Sequence, residues 1–92
     1  MKLPMRFRIL HLISEKENMG VDEVMEALRP EYGGERQWKR GVIYDHLRAL
    51  KAVGMIETTD VSLDEKGNLV EKFKITDYGK SRLRYLPEGW SN

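Results

Sequence analysis

The hydrophobic period of this chain changes at Gly54, and few small folds accommodate such a change. Before it, Ile43, Leu47 and Leu50 recur at i, i+4 and i+7, a single apolar helical stripe, with Gly54 where a left-handed C-cap belongs. After it, Met55-Ile56-Glu57-Thr58-Thr59-Asp60-Val61 is β-branched and reads as a strand. Asp64-Glu65-Lys66-Gly67-Asn68 has turn chemistry, and Leu69 to Thr76 alternates Phe73 and Ile75 with Lys72 and Lys74, as a half-buried strand does. A helix therefore feeds directly into a two-stranded hairpin.

Upstream, Val21, Val24, Met25 and Leu28 form a second single stripe, with Asp22 placed as its N-cap and Pro30 as its end. Glu31-Tyr32-Gly33-Gly34-Glu35 reads as the loop into the third helix, which begins between Arg36 and Gly41 and ends at Val53. The first segment, Met5 to Lys16, favours a helix that Asn18-Met19-Gly20 stops. Its Phe7, Ile9, Leu10, Leu12 and Ile13 cover more than one stripe, and some of that surplus is expected to face a second subunit. Asp77 or Thr76 can cap a last short helix reaching Leu83 or Leu86, before Pro87-Glu88-Gly89. The expected fold is α+β, a winged helix-turn-helix: a three-helix core, a two-stranded β-hairpin wing and a short C-terminal helix. Residues 1–92 read as one domain, with the helix-turn-helix at 21–54, the wing at 55–76 and the last helix at 77–86.

Composition narrows the function. The absence of cysteine excludes a disulfide scaffold and any thiolate metal site. No segment approaches the ~18 apolar residues needed to cross a bilayer, and the start does not read as a signal peptide, so a cytoplasmic location is expected. His11 and His46 are the only histidines and lack metal-site spacing, Gly33-Gly34-Glu35-Arg36 lacks the ending of a phosphate loop, and no serine has a base nearby in sequence. Neither an enzyme nor a cofactor is expected. Asp60, Ser62, Asp64 and Glu71 mimic the ligand spacing of a calcium loop, yet the required glycine is Glu65 and the flanks are strands, so a hairpin tip with incidental carboxylates is the better reading.

Net charge is only +1, but it is segregated. Between Arg36 and Gly54, Arg36, Lys39, Arg40, Arg48 and Lys51 stand against the single acid Asp45, which points to one basic face. A helix fits the major groove and reads bases from its N-terminal residues, so Arg36, Gln37, Lys39 and Arg40, with Arg48 two turns on, are the candidates for DNA contact. Gly41 would let the backbone come close to DNA. Lys66, Lys72 and Lys74 are the wing's candidate phosphate contacts, against the acids Asp60, Asp64 and Glu65. Trp38 could stack on a sugar or pack under the loop, packing being the better reading, and His46 lies on the third helix, where it could face DNA.

The run from Gly41-Val42-Ile43-Tyr44 through Leu47-Arg48-Ala49-Leu50-Lys51-Ala52-Val53-Gly54-Met55-Ile56 resembles the recognition-helix signature of PadR-like and related MarR-like winged-helix regulators. Phe73-Lys74-Ile75-Thr76-Asp77-Tyr78-Gly79 resembles the same group's second wing strand and following cap. Tyr44 resembles a family position near the DNA backbone. The resemblance implies a transcriptional regulator that binds double-stranded DNA, with long C-terminal dimerisation helices usual in the group and not found here before Asn92. A homodimer is expected, its interface at the first helix and the Trp90 tail, and no residue pattern points to a small-molecule effector. The alternative is a winged helix used for protein–protein contact in a transcription or replication assembly, which the modest charge and acidic wing tip favour; RNA binding is a third reading.

Overall fold

The computed structural model describes residues 4–36 and 38–84. Its elements run α1 (Met5–Glu15), α2 (Val21–Tyr32), α3 (Arg40–Ala52), β1 (Ile56–Leu63), β2 (Leu69–Ile75) and α4 (Asp77–Leu83), with the two strands antiparallel. This is the expected winged helix. Among the described residues no helix is long and apolar enough to cross a membrane.

The core gathers Ile9, Leu10, Leu12 and Ile13 of α1, Val24 and Leu28 of α2, Ile43, Leu47 and Leu50 of α3, and Ile56 and Phe73 of the hairpin. α1 touches α3, β2 and α4. Its wide apolar surface is therefore consumed within the chain, and the expected surplus for a second subunit shrinks to the half-buried Met5 and Phe7. The buried Arg8 fastens the same helix to the end of α2, donating from Nε at 3.1 Å and Nη2 at 3.0 Å to the Glu31 carboxylate. Fork-like pairing of this kind satisfies a guanidinium removed from water.

Two expectations at the ends of α2 need correcting. Its N-cap is Gly20, not Asp22: burial of Val21 draws the helix start two residues earlier, and Asp22 lies inside the first turn, bonded to Arg40. Pro30 does not end it either, since helix continues to Tyr32. The hydrogen bond that proline forfeits would have gone to Glu26, which is exposed and open to water, while the Arg8–Glu31 pair and the buried Tyr32 hold the final turn. Trp38 packs, as expected, stacking on Tyr32 with ring centroids 6.2 Å apart.

The wing contains a strand contact that has no sequence period. Asn18, at φ 61°, turns the chain after α1 so that Met19 bridges Phe73, with N–H to carbonyl distances of 3.1 and 2.9 Å. In the hairpin, Ile56 pairs with Ile75 and Thr58 with Phe73; a bulge at Thr59 then shifts the register so that Asp60 faces Lys72.

The wing root is latched to the end of α3. Gly54 adopts φ +81°, Gly54 N–H bonds the Lys51 carbonyl at 3.0 Å and Met55 N–H bonds Leu50 at 2.9 Å, the double closure of a Schellman motif. Thr76 then reaches back, donating its hydroxyl to the Gly54 carbonyl at 2.6 Å and its N–H to Met55 at 3.0 Å, while its Oγ1 accepts from Gly79 N–H at 3.1 Å. A Cβ on Gly79 would lie 2.2 Å from the Met55 carbonyl oxygen, so only glycine allows this approach. Gly79→Ala should cost about 2 kcal/mol of unfolding free energy, as overpacking against backbone does, seen as a lower urea midpoint with retained helical circular dichroism. Gly54→Ala should cost about 1–2 kcal/mol, because its backbone is left-handed.

Candidate nucleic-acid interface

α3 has two sides. Ile43, Leu47 and Leu50 are buried, whereas Arg40, Gly41, Asp45, Arg48 and Lys51 are exposed. Arg40, Tyr44 and Arg48 follow one another at i, i+4 and i+8 along the outer side. Tyr44 is half-buried and packs on the core, and its ring supports the Arg48 guanidinium 5.9 Å from the centroid, within cation–π range. Lys39, the N-cap, is extended and exposed, makes no side-chain cap, and no acid lies in the first turn. The positive end of the helix dipole, Lys39 and Arg40 therefore reinforce one another. A Cβ at Gly41 would meet nothing within 4 Å, so this turn is open to approach.

Between these helices and the hairpin lies a groove of about 840 Å³, bounded by Arg40 and Tyr44, by Asp22 and Glu23 of α2, and by the wing from its tip to Glu71. Arg40 in its lining, and Lys72 and Lys51 beside it, are paired with acids. Arg40 Nε is 3.1 Å from Asp22 Oδ1, Lys72 Nζ is 3.0 Å from Glu23 Oε1, and Lys51 Nζ is 2.7 Å from Glu71 Oε2, which also accepts from the Thr58 hydroxyl. Lys51 and then Thr58 hold the Glu71 carboxyl below the ordinary glutamate range. Burial pushes Glu23 upward, but its bonds to Lys72 and to backbone outweigh this and leave it lowered.

At the tip, Asp64 accepts from the Asn68 N–H at 2.8 Å and the Lys66 N–H at 2.9 Å, an Asx-type turn completed by Gly67 at φ +81°. These amides lower the Asp64 carboxyl, so the acid fixes the turn while Lys66 stands exposed beside it. Glu71 is spent on Lys51 and Asp64 on the turn, which gives the calcium-like spacing a structural cause; among the described residues no cluster of three or more metal-ligating side chains forms.

Of the sequence candidates, Lys39, Arg40, Gly41, Tyr44 and Arg48 come together on the outer side of α3, with Arg36 exposed in the turn before it. Gln37 lies outside the described residues. Lys66 is at the wing tip, Lys72 reaches α2, and Lys74 pairs across the hairpin with Glu57 at 3.3 Å, away from the groove lining. His46 does not face outward. It accepts from Arg6 Nε at 3.2 Å, and burial, then the Arg6 charge, lower its pKa and keep the imidazole neutral. Lys51, counted in the basic face but not among the candidate contacts, continues the Arg48 side three residues on, and nothing local in sequence pairs it with Glu71 on the second strand.

Comparison with known proteins places this geometry. Residues 9–85 match the PadR model, the transcriptional regulator PadR-like family. A protein of Thermoplasma acidophilum described as a transcriptional regulator is 29% identical, with a TM-score of 0.68 over 87% of this chain and 73% of its own. A PadR-like transcriptional regulator of Bacillus cereus is 25% identical, with a TM-score of 0.67 over 87% and 74%. Bacillus subtilis PadR in complex with operator DNA is 21% identical and shares the fold, with a TM-score of 0.70 over 96% of this chain and 52% of its own, so this chain spans about half of that protein. No curated protein sequence matches significantly. The chain belongs to the PadR-like family of transcriptional regulators.

Proposed function

We propose that this regulator binds double-stranded DNA sequence-specifically, as a homodimer in the cytoplasm. The observation that carries the reading is the outer side of α3, where Arg40, Gly41, Arg48 and Lys51 are exposed opposite the buried stripe. Family membership and the fold shared with an operator-bound PadR support it.

In this reading α3 lies in the major groove. Arg40 and Arg48 reach base edges, where arginine pairs bidentately with guanine. The Tyr44 ring limits the rotamers of Arg48, which lowers the entropy lost when it orders. Lys39, Lys51 and the uncapped α3 N-terminus take phosphates, and Lys66 reaches the backbone from the wing. Arg36, Gln37, Lys72 and Lys74 complete the candidate set. A single domain of this kind buries only about 600–1,000 Å², so useful affinity favours two copies on half-sites about 34 Å apart. The second reading, a protein-contact module, draws on Val61, Leu63 and Leu69, which are 53%, 69% and 63% exposed on the wing.

Fluorescence anisotropy with random-sequence duplex across a salt series should show micromolar binding that weakens log-linearly with salt. Arg40→Glu with Arg48→Glu should reduce it at least about 100-fold, and equal binding by the variant would turn the reading toward protein contact. Gly41→Ala separates stability from recognition: an exposed helical glycine replaced by alanine should gain about 0.5–1 kcal/mol, yet the added methyl should weaken DNA binding. Sedimentation of the protein should give a particle of twice the chain mass, and a monomer at high concentration would contradict the dimer.

A further inference from the structure

Two cations at the groove, Arg40 in its lining and Lys72 beside it, are matched to carboxylates of the same chain. Arg40 bonds Asp22 at 3.1 Å and Lys72 bonds Glu23 at 3.0 Å, and both acids stand in the first turn of α2. That turn is itself electropositive, a place where a phosphate would otherwise be welcome. Both acids line the groove together with Arg40 and the wing, so a duplex strand entering it meets the acids and their cations at once. Asp22 makes no capping bond, and although Glu23 also accepts from the Gly20 N–H at the N-cap, a glutamine in its place keeps that acceptor oxygen without the charge.

We infer that Asp22 and Glu23 act as built-in counterions that hold down indiscriminate binding of duplex DNA; the inference rests on the DNA-binding reading above. Attraction to arbitrary duplex scales with the number of phosphates neutralised. A cation already neutralised by its own chain releases no DNA counterion unless the carboxylate is displaced, and the displaced carboxylate then faces phosphate. The arginine and lysine side chains are 59% and 34% exposed and their pairs are weak enough to exchange. On arbitrary duplex Arg40 finds no matching base edge to offset the displaced Asp22, so the penalty falls hardest on complexes held by phosphate contacts alone. Asp22 and Glu23 are thus selectivity-setting residues at the edge of the reading surface.

The test is anisotropy with random-sequence duplex for the whole chain, for Asp22→Asn with Glu23→Gln, for each single variant, and for Glu17→Gln. Glu17 is exposed in the turn after α1, outside the groove lining, and its substitution makes the same charge change as either single variant. The double variant should bind about tenfold tighter or more near 0.1 M salt, with a salt slope steeper by nearly two, about 0.9 for each freed phosphate contact. Glu17→Gln should change affinity less than about twofold, as an exposed charge outside the groove lining is largely screened by solvent and salt. Circular dichroism confirms that the variants fold, and the single variants carry the test if the double one melts. Unchanged or weaker binding by folded variants, with wild-type binding intact, overturns this inference alone; absence of binding by every variant at low salt overturns it together with the reading beneath it.

Discussion

The wing of this protein is only as well placed as the corner where α3 ends. There the chain must leave a helix, turn into a strand and accept a returning segment, all within a few residues. The left-handed Gly54 closes the helix, and Thr76 binds the freed carbonyls of Gly54 and Met55. Gly79 lets the first turn of α4 rest on that same backbone. The carbonyls at a helix terminus need partners: the Gly54 turn supplies them for Leu50 and Lys51, while Thr76 and Gly79 cap α4 and fix the hairpin's angle.

From that corner the rest of the interface follows. The angle sets how far β2 stands from α3, and hence whether Lys51 reaches Glu71 and whether Lys72 reaches Glu23. The outer side of α3 and the framework share residues, with Tyr44 packed on the core beneath and carrying Arg48 above. Such sharing is a feature of thin domains, which cannot keep a separate layer for support.

What the sequence made legible was local. The α3 stripe, its glycine stop, the strand alternation and the Thr76 cap each rest on residues within one or two turns of each other, where period and propensity decide. What stayed hidden was tertiary. The bridge from Met19 to Phe73 is one residue long and has no period to detect. Asp22 looked like a cap because composition cannot say whether Val21 is pulled into the core. Pro30 looked like a stop because the Arg8–Glu31 pair that sustains the last turn spans 23 positions. The apolar width of α1 is largely taken up inside the chain, by α3, β2 and α4. In the candidate site, a count of basic residues singles out α3 but cannot show the acids that pair with its cations, which arrive from α2 and β2.

The bulge at Thr59 divides the hairpin into two mechanical regimes. Toward the root, Ile56, Phe73 and the Met19 bridge tie the strands into the core. Beyond the bulge, residues 60–69 are all exposed, held by the ladder and the tip turn without core contacts. Opening free energy follows buried contact, so the outer hairpin forms a compliant arm on a stiff base. In the proposed DNA-bound state, an arm of that kind follows variation in groove width without any change in the position of α3.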